Sequence, residues 1–220
     1  MADTTFSAWT PTSAYLLGLF YADAHLNKKG LCTYRTKDKQ LINLVQRLLD
    51  YGNIRAENYP AKYGPKPIYS LAFMGQMSKD LQRLGIPISP KANRLTWPHN
   101  LPSHLTRDFI RGFFDGDGSA GINQPQISFN SSSPQFLLAI ETVAHALGCY
   151  PNEPSLHQTH HGSCYSLLYG NVVDTALLTM YMYLYPTTNM CLLRKRRRLF
   201  KTLGIKQIPD TPNLHTQDLT

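Results

Sequence analysis

Phe109-Ile-Arg-Gly-Phe-Phe-Asp-Gly-Asp-Gly-Ser119 is the stretch that decides the fold. It begins as a helix and ends in residues that interrupt one. Apolar pairs flank Gly112, and Gly116 follows four residues later. Residues four apart share a helix face, so Gly112 and Gly116 leave a bare strip where another backbone can come close. The Asp115-Gly-Asp-Gly118 run is expected to stop the helix near Asp115, since glycine tolerates the left-handed conformation of many helix ends.

A partner for that strip lies upstream, in Leu16-Leu-Gly-Leu-Phe-Tyr-Ala-Asp-Ala24. Gly18 and Ala22 repeat the small pair at the same spacing, and Asp23 stands where Asp117 stands in the later copy. Two small-faced helices packed through Gly18, Ala22, Gly112 and Gly116 would bring Asp23 and Asp117 together. A carboxylate at a helix C-terminus opposes the macrodipole, and two neighbouring carboxylates resist joint ionisation. A bound divalent cation removes both difficulties and creates a catalytic centre. A single Asp-Gly more often just shapes a turn; two matched copies are another matter.

Leu16–Ala24 and Ile110–Gly118 resemble the two motif copies of single-chain LAGLIDADG homing endonucleases. Gly112, Asp115, Asp117 and Gly118 match in the second copy, and Gly18, Leu19, Ala22 and Asp23 in the first. Tyr21 and Ala24 depart from the usual Asp and Gly, so Asp115 has no acidic counterpart and reads as a turn or supporting residue. The resemblance implies magnesium or manganese, as two or three ions shared by Asp23 and Asp117, with the backbone of Ala22 and Gly116 nearby. It also implies one basic residue per half beside the metals; Lys91 and Lys195 are the choices, with Arg194 close behind. A cation there could stabilise the phosphoryl transition state or help activate water. Cuts across the minor groove leaving short 3′ overhangs, and mobility of the encoding gene, are further implications.

The chain has 22 Lys plus Arg against 14 Asp plus Glu, a net charge of +8. That favours a polyanion, nucleic acid first. No long apolar run suggests a membrane span, and Met1–Thr10 lacks a signal-peptide layout. The four cysteines are scattered, which argues against a disulfide scaffold or structural zinc site and fits an intracellular protein, in cytoplasm or an organelle matrix.

The same order of elements is expected twice. Helices are expected to about Ala22, over 38–51 and 78–84, and strands over 31–36, 54–59 and 68–73. After the motif helix, a strand over 127–130, a helix over 133–147, strands near 150–158 and 164–169, and a helix over 172–183 follow. A shift of 94 residues carries Asp23 onto Asp117, 95 carries Thr36 onto Ser131, and 96 carries Tyr69 onto Tyr165. The expected class is α+β: two αββαββα halves related by a pseudo-twofold axis, packed through the motif helices, with a DNA-binding saddle of antiparallel sheets. Residues 1–86 form the first half, 87–102 a proline-dense linker docked by Ile88, Leu95 and Trp97, and 103–220 the second half.

Paired modules suit a duplex target of roughly 20 base pairs that need not be palindromic, read by a monomer. Strand faces turned away from the helices supply candidate base readers. They are Thr33, Arg35, Arg55, Glu57, Asn58 and Ser70 in the first half, and Gln126, Ser128, Asn130, Asn152, His157, Gln158 and Ser166 in the second. Lys28, Lys29, Lys37, Lys39, Lys62 and Lys66 read together as phosphate contacts, although for any single lysine plain solvation is the favoured reading. His157, His160 and His161, with Glu153 near, form a loop better suited to DNA than to a metal, and a simple exposed loop is the reading favoured over both. The Arg194-Lys-Arg-Arg-Arg198 run, bracketed by Leu192, Leu193, Leu199 and Phe200, reads as an amphipathic helix near the active centre, or as a localisation signal or solvated face. The predicted activity is hydrolysis of both DNA strands. An RNA-binding intron maturase, or a DNA-binding regulator that does not cut, is the alternative.

Overall fold

A computed structural model describes residues 5–59, 66–152, 156–158, 164–184 and 190–206. The first half runs α1 (Pro11–Asp23), β1 (Ala24–Leu26), β2 (Cys32–Thr36), α2 (Lys39–Leu49), β3 (Arg55–Tyr59), β4 (Lys66–Phe73) and α3 (Gln76–Arg83). The second repeats the order with α4 (Thr106–Asp117), β5 (Ser119–Ala120), β6 (Ile127–Ser131), α5 (Pro134–Ala146), β7 (Leu156–Gln158), β8 (Tyr165–Tyr169) and α6 (Val172–Tyr183), then adds α7 (Leu193–Thr202). The strands make two antiparallel four-stranded sheets, in orders β1-β2-β4-β3 and β5-β6-β8-β7. The duplicated α+β plan is thus the observed one.

Local chemistry explains the main elements. Thr10 and Ser13 close a reciprocal capping box at the start of α1, with Ser13 N–H donating to Thr10 Oγ1 at 3.0 Å and Thr10 N–H to Ser13 Oγ at 2.8 Å. Asp38 caps α2 through the N–H groups of Gln40 and Leu41. Alternation in β2 buries Cys32 and Tyr34 against the helices and turns Thr33 and Arg35 outward.

The helix pair α1–α4 is the spine. A Cβ added at Gly18 would lie 2.2 Å from Phe109 O, and one at Gly112 would lie 2.0 Å from Tyr15 O. Each glycine therefore admits the backbone of the other helix at the same relative place. A Cβ at Gly116 would meet that of Ala22 at 2.3 Å, which completes the expected strip. Around this contact Tyr21, Phe109, Phe113, Phe136 and Trp97 pack edge to face and stacked, tying α1, α4, α5 and the intervening segment together. That segment docks as its apolar residues suggest. Leu95 is buried, and Ile88 and Trp97 pack on the core. Ser89 N–H also donates to Leu26 O at 2.7 Å.

Two expectations at the motif ends need correction. Neither motif helix stops early: each ends on its acid, Asp23 or Asp117. Gly118 has φ −77°, which any residue adopts. It is glycine for want of space, since a Cβ there would lie 2.2 Å from Phe114 Cδ2. Strands β1 and β5, which start directly after the acids, were not located in advance. At three and two residues they are too short to show alternation.

Candidate active site

Asp23 and Asp117 stand at helix-to-strand junctions of adjacent helices. Pairing of β1 and β5 with their sheets fixes the chain immediately beyond each acid. Gly116 sits beside Asp23: a Cβ on that glycine would be 3.8 Å from Asp23 Oδ2. Burial, then the nearby Asp117 charge, pushes the Asp23 carboxyl up to about 7, opposed by Lys91 and Lys195. Burial also raises Asp117, again against the same two lysines. Hydrogen bonding contributes to neither shift. The two acids are thus held close, poorly solvated and without donors.

Both chosen lysines reach this centre. Lys91 Nζ donates to the carbonyls of Tyr21 and Ala22 at 2.8 and 2.5 Å, at the end of α1. Lys195 Nζ donates to the carbonyls of Phe114, Asp115, Gly116 and Gly118 at 2.6, 2.9, 3.3 and 2.6 Å, at the end of α4. Each ammonium therefore neutralises the negative end of one motif helix next to its acid. Burial lowers Lys195 to about 8 and lowers Lys91 as well. Lys195 and Arg196 are buried while Arg194 and Arg197 are exposed, so the basic run is not a wholly solvated face.

Asp115 does not face the cleft. It is fully enclosed and accepts from Tyr15 Oη at 2.8 Å, Tyr183 Oη at 2.5 Å and Leu192 N–H at 2.8 Å. Leu192 is the residue that precedes α7, so this carboxylate anchors the helix that carries Lys195. Tyr21, in the matching place of the first copy, instead donates to Leu84 O at 3.1 Å. Arg111 was not anticipated. It is fully buried, pairs with Asp108 at 2.6 Å, and donates to Met190 O and Met182 O at 2.9 and 3.2 Å. The charge in the apolar run Phe109-Ile-Arg-Gly, three residues after Asp108, was the available sign of a buried ion pair.

A cavity of about 670 Å³ opens beside Asp23, lined by Asp23, Arg35, Thr36, Lys37, Asp38, Ile68, Gly116 and Arg194. On its first-sheet side it borders β2 and β4. Register places Thr33, Arg35, Ser70, Arg55 and Glu57 on one face of the first sheet. Arg35 and Glu57 pair there at 3.3 Å. Asn58 is a correction: it pairs with Pro67 and so falls on the opposite face, with Ala56 and Tyr69. In the second sheet Ser128, Asn130, Ser166 and His157 share register. Gln158 pairs with Tyr165 at the register of the other face, which corrects its expected placement.

Four further candidates are engaged or buried. Asn130 Nδ2 donates to Asp117 O at 2.9 Å and so steadies the acid's own peptide. Ser128 is only 9% exposed. Asn152 Oδ1 accepts from Gly170 N–H at 3.0 Å. Gln126 precedes β6, and its Oε1 accepts from Gln124 Nε2 at 3.2 Å. Lys28, Lys29, Lys37, Lys39 and Lys66 are exposed. Lys62, Glu153, His160 and His161 lie outside the described residues.

The donor set fits a hard divalent cation. Two neighbouring carboxylates lack donors, that of Asp23 facing the cavity, and the carbonyls of Ala22 and Gly116 keep a second lone pair beyond their lysine bonds. Among the described residues no cluster of three or more His, Cys, Asp or Glu is present. Magnesium needs none, because it retains water and accepts substrate phosphates alongside one or two carboxylates.

A consequence is testable without DNA. Asp23 binds its proton more tightly folded than unfolded, so its contribution favours the folded state at low pH and is lost as pH rises from about 4 through about 7. In chelator at pH 7.5, Asp23→Asn should melt above wild type by about 3 °C, the change about 1 kcal/mol produces in a chain of this size. The gap should narrow at pH 5 and close only below about pH 4. Added Mg²⁺ or Mn²⁺ should raise the wild-type Tm at pH 7.5 and leave that of Asp23→Asn nearly unchanged. Equal cation responses in a thermal-melt titration would count against the shared site.

A family model described as a LAGLIDADG-like domain matches residues 10–83 and 105–173. A search of curated proteins finds no match. Among solved structures, the homing endonuclease I-WcaI bound to its DNA recognition sequence superposes with TM-score 0.60 at 14% identity, covering 89% of this chain and 90% of that one. I-DmoI in complex with DNA and Mn superposes with TM-score 0.52 at 16% identity, covering 78% and 96%. Full-length WhiA from Thermatoga maritima superposes with TM-score 0.57 at 13% identity. There the match covers 93% of this chain but only 63% of WhiA.

Proposed function

Since the chain belongs to the LAGLIDADG family, we propose that it is a site-specific DNA endonuclease that hydrolyses both strands of a long, asymmetric duplex target with a divalent cation. The observation that carries this reading is the pair of acids, each the last residue of its motif helix, brought close enough for the charge of one to act on the other, with Asp23 and Gly116 lining a cavity beside the first sheet. A protein that only binds DNA has no need to hold two unbonded carboxylates together at a cost in stability. The I-WcaI and I-DmoI likenesses, one structure bound to its DNA recognition sequence and the other holding DNA and Mn, agree with this reading.

In this mechanism the two sheets lie along the major groove of adjoining half-sites, and their Arg, Ser and Thr side chains meet base edges and phosphates. Asp23 and Asp117, with the helix-end carbonyls of Ala22 and Gly116, would hold magnesium or manganese. When bound, the cations supply Lewis-acid stabilisation of the phosphoryl and leaving oxygens and lower the pKa of water. Lys91 and Lys195 keep positive charge beside the reacting phosphates and hold the helix ends in register. Lys195, lowered to about 8, also stands near the range in which an ammonium can exchange a proton at working pH. Both acids come from one chain, so a monomer suffices and the target, roughly 20 base pairs, need not be palindromic. No helix among the described residues is long and apolar enough to cross a membrane.

The experiment is incubation with a randomised duplex library in Mg²⁺ or Mn²⁺, followed by sequencing of the ends produced. Cleavage of both strands at one long site with short 3′ overhangs is expected. Retention of a specific duplex without cutting would establish the DNA-binding regulator instead, and selective binding of structured RNA would favour the maturase.

A further inference from the structure

The cavity beside Asp23 has one wall that the catalytic scheme leaves unused. We propose that Arg35, Lys37 and Arg194 form a subsite for one backbone phosphate of the bound nucleic acid, and that the Asp38 carboxylate holds this place in the free protein. The proposal rests on the nucleic-acid reading above and adds to it a specific site and a competing group within the chain.

Arg194 belongs to the second half and Asp38 to the first. Their side chains meet across the cavity, Arg194 Nε donating to Asp38 Oδ2 at 2.7 Å. Asp38 Oδ1 is separately committed to capping α2. Asparagine caps a helix as well as aspartate does, so capping explains the side chain but not its negative charge. Arg35 and Lys37 line the same cavity. Strand β2 turns Arg35 to the sheet's outer face, where it pairs with Glu57, and Lys37 directly follows that strand.

A guanidinium held by one carboxylate oxygen keeps further N–H groups in a planar fork, the shape that matches a phosphate. The Arg194 side chain is 52% exposed and that of Asp38 18%, so the arginine is open to an incoming anion while the carboxylate sits behind it. A pair this exposed is weak and screened by salt, which makes exchange of carboxylate for phosphate feasible.

The subsite is one-sided. The shift of 95 residues carries Arg35 onto Asn130, Lys37 onto Ser132 and Asp38 onto Ser133, all uncharged. Those positions of the second half therefore carry neither the two β2-side cations nor the competing acid.

The test uses the full chain with EDTA, so that no cutting occurs, and a labelled duplex of random sequence over a KCl series. Asp38→Asn should tighten binding by about tenfold at low salt, from removal of one charge near a phosphate at intermediate dielectric. Arg194→Gln should weaken binding and flatten the slope of log K against log salt by about one. In the Arg194→Gln background the Asp38→Asn gain should largely vanish. An equal gain in both backgrounds would show only a general loss of negative charge and would overturn the proposal. So would unchanged binding by Asp38→Asn whose melting matches wild type. Wild type that bound no duplex at any salt would overturn the nuclease reading itself, a result distinct from either.

Discussion

Asp117→Asn should cut neither strand at a detectable rate, a loss of at least about a thousandfold, while binding duplex DNA as tightly as wild type or slightly more so. Asparagine has nearly the shape of aspartate, and no hydrogen bond to the carboxylate enters its pKa shift, so the exchange leaves the packing intact. What disappears is the charge that, with Asp23, makes the centre fit for a divalent cation. A thousandfold corresponds to about 4 kcal/mol of transition-state stabilisation, the scale on which one electrostatic group at a reacting centre acts. Both strands should be affected because the two acids share one centre. Removal of a negative charge close to the bound backbone accounts for equal or tighter binding. The measurement is single-turnover cleavage of the selected site beside a binding titration in calcium or EDTA. Full cutting by this variant would remove the acids from the mechanism.

Gly112→Ala should be the most destabilising single-methyl change in the protein. The added carbon would fall 2.0 Å from Tyr15 O, 2.9 Å from Tyr15 C and 3.2 Å from Leu19 N. These are backbone atoms of α1, which cannot turn aside as a flexible side chain can. The helices would have to separate, and the aromatic packing of Tyr21, Phe109 and Phe113 would loosen with them. Overpacking of this kind costs roughly 3 kcal/mol or more, which lowers Tm by roughly 10 °C in a chain of this length. Gly148→Ala is the matched control. It meets nothing within 4 Å, and its φ of +81° costs an alanine only about 1 kcal/mol. A Gly112→Ala protein as stable as Gly148→Ala would mean that the motif helices do not meet at this closeness. Because the same contact aligns Asp23 with Asp117, any folded Gly112→Ala protein should also cut slowly.

The duplicated plan was legible because its signals are local or periodic. Small residues four apart, a terminal acid after each pair, and a near-constant shift between the halves can be counted without coordinates. Faces of β2 followed from alternation alone. Alternation failed at Asn58 and Gln158 because they were chosen by side-chain chemistry, whereas register places them opposite Pro67 and Tyr165. Asn130 and Asn152 have the right chemistry for base edges, yet their amides serve the protein's own backbone.

By itself, then, the sequence determined the two motif helices, their acids, the repeated α+β order and the positive charge suited to a polyanion. Each depends on periodicity or composition within a short window. Tertiary structure alone decided how Lys91 and Lys195, named through the family resemblance, are held at the centre. Lys91 sits 70 residues from Tyr21 and Lys195 81 from Phe114, while Arg194 finds Asp38 across 156. It also enclosed Asp115, placing that acid under α7 instead of in the cleft. No local pattern encodes such pairings, because they arise only when two separately formed halves close on a shared helix contact and bring distant polar groups within reach of one another.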